Sequence, residues 1–118
     1  MTGAGVKRRY RLKSPMDFKR VRRHGKSFAH PLVVMLALRS DVPHPRIGVS
    51  AGRSIGNAVR RNRAKRRLRA ALHPYLERLQ PGWDLVFLAR KPLPEADFGE
   101  IQQAIETLLQ RAGLIEHP

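Results

Sequence analysis

The hydrophobic pattern of this chain changes period several times, and each change marks an element. From Leu32 to Arg39 the chain reads LVVMLALR, aliphatic and β-branched on both faces, which predicts a buried strand. The prolines of DVPHP then turn the chain. RIGVSA, Arg46 to Ala51, alternates Ile47, Val49 and Ala51 against Arg46, Gly48 and Ser50, the period of a half-buried strand. A third strand is predicted from Asp84 to Arg90, after the turn residues Pro81 and Gly82. Helical spacing appears in Phe98, Ile101, Ile105, Leu108, Leu109 and Ala112, opened by Asp97 with Glu100 three residues on, a capping-box pattern. Near the start, Ser14 as cap and Pro15 at the first helical position open a short helix that Gly25 is placed to end. The order is helix, strand, strand, helix, strand, helix, which predicts an α+β fold, a two-layer α/β sandwich of helices on a small mixed sheet. One domain, 1–118, accommodates this length, and the basic stretch 1–12 ahead of the first helix is expected to be a mobile arm.

The fourth of these elements carries an unusual pattern. In GNAVRRNRAKRRLRAAL, seven of the ten residues from Arg60 to Arg69 are Arg or Lys. With Asn57 as cap and about 100° per residue, Ala64, Leu68, Ala71, Leu72, Tyr75 and Leu79 gather into a core stripe. Asn62, Lys65, Arg66 and Arg69 fall opposite, with Arg60, Arg63 and Arg67 flanking them. Arg61 points toward the core side. Pro74 lies inside the extended helical pattern and predicts a kink or break near Leu72 to Pro74. A solvated helix face ordinarily interleaves acids, yet none occurs between Asp41 and Glu77. Arg60 and Arg61 also occupy a first turn, where cations oppose the helix dipole by about 0.3–1 kcal/mol each. The pattern therefore favours a phosphate-binding face over plain solvation.

Composition strengthens that reading. The chain carries a net charge of +15, with 24 Lys and Arg against nine acids, a field that favours a polyanionic partner. The excess lies in residues 1–70, net +18, whereas residues 71–118 are net −3. Arginine outnumbers lysine 18 to 6, and the guanidinium fork suits phosphate oxygens. Asn62 alone offers a short polar reader of base edges on the basic face, so backbone contacts to a structured RNA fit better than major-groove DNA readout. Cysteine is absent, which excludes disulfides, thiol nucleophiles and Cys-based zinc sites. No apolar run approaches the roughly 20 residues that span a bilayer, and no secretory signal is expected, so a cytoplasmic protein without a membrane partner is anticipated.

The segment RIGVSAGRSIGNAVRRNRAKRRLR resembles the signature of the bacterial ribonuclease P protein component. The match runs through Arg46, Gly48, Ser50, Arg53, Gly56, Asn57, Ala58, Val59, Arg61, Asn62, Arg63, Lys65, Arg66 and Arg69. YRLKSPMDFKRV upstream and ARKP downstream extend the similarity over about residues 10–112. The resemblance implies an αβββαβα-like order with a left-handed βαβ crossover, against the general right-handed rule. It also implies a protein subunit of a ribonucleoprotein that removes the 5′ leader from precursor tRNA, with the RNA subunit as catalyst. Carried over by position, Arg53, Arg60, Arg61, Asn62, Arg63, Lys65, Arg66 and Arg69 would face the catalytic RNA. Phe18, Arg22, Leu36 and Arg46 would belong to the cleft for the precursor tRNA leader. Arg22 and Leu36 stand where the family often has aromatics, and Ser54 where it has a second loop lysine; Arg22 would substitute through its planar guanidinium.

The chain lacks a constellation for chemistry of its own. The nine acids are scattered, and His24, His30, His44, His73 and His117 show no metal-ligand spacing, so no catalytic or metal-binding residue is assigned. Under the resemblance, Mg2+ enters only through the RNA subunit and no cofactor is bound by the protein alone. A ribosomal or RNA-chaperone protein that uses the same basic helix, without a role in cleavage, is the competing reading.

Overall fold

The chain forms α1 (Pro15–His24), β1 (Lys26–Ala29), β2 (Val33–Arg39), β3 (Arg46–Ser50), α2 (Ala58–Leu72), β4 (Trp83–Ala89) and α3 (Phe98–Arg111) in a computed structural model that describes residues 8–116. The sheet order is β1-β2-β4-β3, antiparallel at the first two pairings and parallel between β3 and β4. The parallel pair requires a crossover, and α2 supplies it. This is the mixed α+β fold expected from the pattern, in the order αβββαβα.

Strand β1 is the element that hydrophobic periodicity misses. Lys26, Ser27 and Ala29 are exposed and only Phe28 packs toward the core, so an edge strand leaves little apolar signal. By contrast, the unbroken apolar run of β2 is explained by two covered faces. Val33, Met35 and Ala37 join Ile47, Val49, Leu85 and Phe87 against α2 and α3. Val34, Leu36 and Leu38 lie with Val86 and Leu88 on the other face, beneath Phe18 and Val21 of α1.

Helix α2 follows its predicted stripe. Ala64, Leu68, Ala71, Leu72, Tyr75 and Leu79 are all buried. The α-helix ends at Leu72, and a tighter turn over His73–Arg78 carries Pro74, which has no N–H for the helical ladder. The turn keeps Tyr75 inside, where its hydroxyl donates to Glu106 of α3 at 2.8 Å. Burial, and then the bond to the Glu106 carboxylate, push the Tyr75 hydroxyl up to about 12.

The segment expected to be a mobile arm is corrected in its second half; residues 1–7 lie outside the described residues. Tyr10 and Leu12 are buried, Arg11 bridges Ile47 in parallel register, and the Leu12 N–H donates to the Ile47 carbonyl at 2.8 Å. Docking covers the open edge of β3. The two apolar residues among five cations were the available signal.

Asp84 is a fully buried carboxylate at the start of β4. Arg46 of β3 grips it through Nε and Nη2 at 2.8 and 2.7 Å, and Arg20 of α1 donates to it at 2.6 Å and to Asp17 at 3.1 Å. Three elements are thereby tied at one corner of the sheet. Burial would push the Asp84 carboxyl up, but the bonds from Arg46 and Arg20 together outweigh it and hold the group below its ordinary value. Both guanidiniums are pushed up, first by their hydrogen bonds to Asp84. A depressed carboxyl stabilises the fold above the unfolded Asp value of about 3.9 and loses that contribution as acid protonates the folded form. Asp84→Asn is therefore expected to destabilise the protein by about 1.5–3 kcal/mol at pH 7 in urea unfolding, since Arg46 and Arg20 lose their charged bonds to it and keep only Asp17 as a nearby carboxylate. The gap from wild type should narrow at about pH 3; an equal gap at both pH values would contradict the assignment.

Candidate RNA interface

The loop before α2 builds the interface from its first residue. Ile55 is buried and anchors a short turn over Arg53–Ile55, leaving Arg53 exposed at its tip. Gly56 has φ +133°, a conformation that side chains resist, and a Cβ there would meet the Arg60 side chain at 2.9 Å. Arg60 passes over this glycine to donate from Nε to the Ile55 carbonyl at 2.8 Å. Asn57 then caps α2 by accepting the Arg60 N–H at 3.0 Å. The G-N dipeptide of the sequence motif is thus a turn plus a cap.

The cations of α2 divide into two sets. Arg60, Arg63 and Arg67 face the segment after β4. Arg60 pairs with Glu95, Arg63 donates from Nε to the Pro94 carbonyl at 2.9 Å, and Arg67 donates from Nη1 to the same carbonyl at 2.8 Å. Arg63 and Arg67 thereby satisfy a backbone acceptor of the turn over Leu93–Glu95, whose Leu93 and Pro94 are buried. Arg60 and Arg63, which the motif assigns to RNA, therefore also have structural partners.

Arg53, Lys65 and Arg66 have no hydrogen-bond or ion-pair partner among the described residues. With Val59, Asn62 and Arg69, Lys65 and Arg66 line a shallow groove of about 420 Å³. Val59 is 75% exposed there. Arg69 is half-buried, and burial, followed by repulsion from nearby Arg11, lowers its pKa. Arg61 is half-buried as its wheel position predicts. Its Nε is buried without a hydrogen-bond partner among the described residues, a donor that folding alone does not satisfy.

On the other side of Arg69 a second groove of about 350 Å³ opens between the docked N-terminal segment, α1 and β3. Arg11, Lys13, Phe18, Gly48, Val49 and Arg69 line it. Phe18 lies directly over Gly48, where any Cβ would come within 2.3 Å of the ring. Arg22, one turn beyond Phe18, donates to the Ser50 hydroxyl at 3.3 Å and remains exposed. Phe18 and Arg22 thus border one open surface.

Leu36 and Arg46 do not share it. Leu36 is 8% exposed beneath α1, because that helix rests directly on this part of the sheet. Arg46 is spent on Asp84. Sequence reasoning missed Arg11, Lys13 and Gly48 as groove-lining positions; the apolar Tyr10 and Leu12 flanking Arg11 were the only sign that this segment docks. Among the described residues no three His, Asp or Glu side chains gather to hold a metal ion, and no helix is long and apolar enough to cross a membrane.

The chain and its fold are similar to known proteins. The Ribonuclease P family model matches residues 6–113. The chain is 40% identical over 109 residues to the ribonuclease P protein component of Herpetosiphon aurantiacus, covering 92% of this chain and 89% of that protein. It is 41% identical over 112 residues to that of Symbiobacterium thermophilum, covering 94% and 97%. Among solved structures, the Staphylococcus aureus RNase P protein superposes with a TM-score of 0.80 at 30% identity, over 91% of this chain and 98% of that one. The Thermotoga maritima RNase P protein gives 0.76 at 30% identity, over 91% and 98%.

The two sets of cations should separate by mutation. The double substitution Arg63→Ala/Arg67→Ala is expected to cost about 1–3 kcal/mol in urea unfolding, because the Pro94 carbonyl loses both of its side-chain donors, whereas Arg66→Ala should stay within about 0.5 kcal/mol of wild type. Equal losses would contradict the division.

Proposed function

The chain belongs to the ribonuclease P protein family and is a protein subunit of that tRNA-processing ribonucleoprotein, and from this membership we propose how its surface divides the work. Arg53, Arg61, Asn62, Lys65, Arg66 and Arg69 bind the phosphate backbone of the ribonuclease P RNA. The observation that carries this reading is the unpaired state of Arg53, Lys65 and Arg66 beside a helix flank whose other arginines are engaged within the protein. Folding has left their charge for a polyanion to neutralise.

The groove of Arg11, Lys13, Phe18 and Arg69 receives the single-stranded 5′ leader of precursor tRNA. Its support is chemical: an aromatic ring and guanidiniums along an open channel suit an unpaired strand, through stacking and phosphate contact together. Arg22 extends that path along α1. Leu36 and Arg46 act from behind, Leu36 by seating α1 on the sheet and Arg46 by fixing Asp84.

The protein contributes binding and position, and the RNA subunit contributes the cleavage chemistry. Among the described residues the buried carboxylate, Asp84, is already held by two guanidiniums. From the family reading, magnesium is assigned to the RNA subunit. By screening phosphate repulsion and fixing the leader, the protein lowers the magnesium concentration that the ribonucleoprotein needs.

Adding the protein to its ribonuclease P RNA at low magnesium is expected to increase cleavage of precursor tRNA, and shortening the leader to a single nucleotide should reduce that gain. A gain independent of leader length would refute the groove assignment. Arg66→Glu should unfold at the wild-type urea midpoint yet bind the RNA at least about tenfold more weakly at 150 mM salt, by loss of a phosphate contact and addition of a repulsive charge. Unchanged affinity would remove α2 from the interface.

A further inference from the structure

Phe98 is a periodic apolar position that the fold leaves outside its core. Ile101, Ile105 and Leu108, which share its helical spacing, are fully buried, but Phe98 is 39% exposed. It is the first residue of α3, and it lines a groove of about 530 Å³ together with Arg11, Arg63, Arg66, Arg67, Arg69 and Ala70. A solitary exposed phenylalanine is ordinary on a protein surface. A phenylalanine set among five guanidiniums is a different chemical environment.

The acids next to Phe98 in sequence are engaged elsewhere. Asp97 and Glu100, on either side of Phe98 in sequence, are turned into the capping box of α3, with the Asp97 N–H donating to Glu100 at 3.2 Å. Glu95 is paired with Arg60. Arg63 and Arg67 are pinned by the Pro94 carbonyl through one nitrogen each, so their planes are fixed while other N–H donors stay free. Binding to such preorganised guanidiniums forfeits less side-chain entropy.

We propose that Phe98 and the arginines of α2 form a site for one unpaired nucleotide of bound RNA, with the base stacked on the Phe98 ring and the adjoining phosphate held by Arg63 and Arg66. The chemistry selects this ligand. Paired bases hide their faces inside a helix, so a ring and a phosphate clamp can be used together only by a nucleotide that is splayed out. The proposal rests on the RNA-binding reading above and extends it to Phe98, on a groove that adjoins the N-terminal groove through Arg69 and the Val59–Asn62–Lys65 face through Arg66 and Arg69. The nucleotide belongs either to the ribonuclease P RNA or to precursor tRNA, and the chemistry is the same for both.

The test compares wild type, Phe98→Leu and Phe98→Trp in the full-length protein. Phe98→Leu keeps an apolar side chain but loses the π face, and is expected to weaken RNA binding about tenfold. Its logarithmic salt slope should remain that of wild type, since no phosphate contact is lost, whereas Arg66→Ala should lower the slope by about one. Phe98→Trp should retain affinity, and its added fluorescence over the wild-type Trp83 signal should be quenched on binding. Weakened binding to the ribonuclease P RNA alone assigns the nucleotide to that RNA; weakening seen only once precursor tRNA is added assigns it to the substrate. Phe98→Leu affinity within twofold of wild type for both, or unquenched Phe98→Trp fluorescence in the saturated complex, overturns the proposal. Urea unfolding of each variant separates these outcomes from misfolding. A wild-type protein that failed to stimulate the ribonuclease P RNA would instead overturn the parent reading.

Discussion

A single buried carboxylate organises the side of this molecule where α1 meets the sheet. Asp84 sits where β4 begins, and its two oxygens accept from Arg46 on β3 and Arg20 on α1. A buried charge is tolerable only when its partners are close and its lone pairs are used. That requirement fixes α1 against the β3–β4 corner, which in turn lays Phe18 over Gly48 and shapes the groove beside Arg69. In a chain of net charge +15, one acid in the right place decides where a helix docks.

The remaining positive charge is managed by geometry. Arg60, Arg63 and Arg67 look in sequence like further members of a binding face, but each reaches across to carbonyls or a carboxylate in the segment after β4. They brace that segment against α2 and leave Lys65 and Arg66 on the open side. Arg61 retains a buried donor with no partner, and Arg69 stands near Arg11 in a setting that disfavours its charge. Unrelieved costs of this kind are consistent with a surface that an anion completes, which is the role proposed for RNA.

Much of the architecture was legible because periodicity reports burial directly. The α2 stripe, the two-faced run of β2 and the break at Pro74 each follow from side-chain spacing or from a missing N–H. The motif glycine and asparagine were legible as well, since a turn and a helix cap are local requirements. Strand β1 was not, because an exposed edge carries almost no hydrophobic alternation. Nor was the docking of Arg8–Leu12, where cations outnumber the apolar residues that bind the segment to the sheet. For the leader surface, sequence grouped Phe18 with Arg22, Leu36 and Arg46, whereas folding kept the first two at the surface and enclosed or engaged the others.

What the sequence by itself determined is what depends on neighbours a few residues away: the elements, the basic face of α2, the cap at Asn57 and the family motif. What only the tertiary structure decided is which charges are spent and which are free. Arg46 and Arg66 are the same side chain, and no local pattern distinguishes them. The difference arises 38 residues along the chain from Arg46, where Asp84 comes within 2.7 Å of it, while no acid of the described residues pairs with Arg66. Phe98 was set apart in the same way, for helical spacing assigned it to the core, and the placement of α3 against α2 left its ring beside the arginines instead.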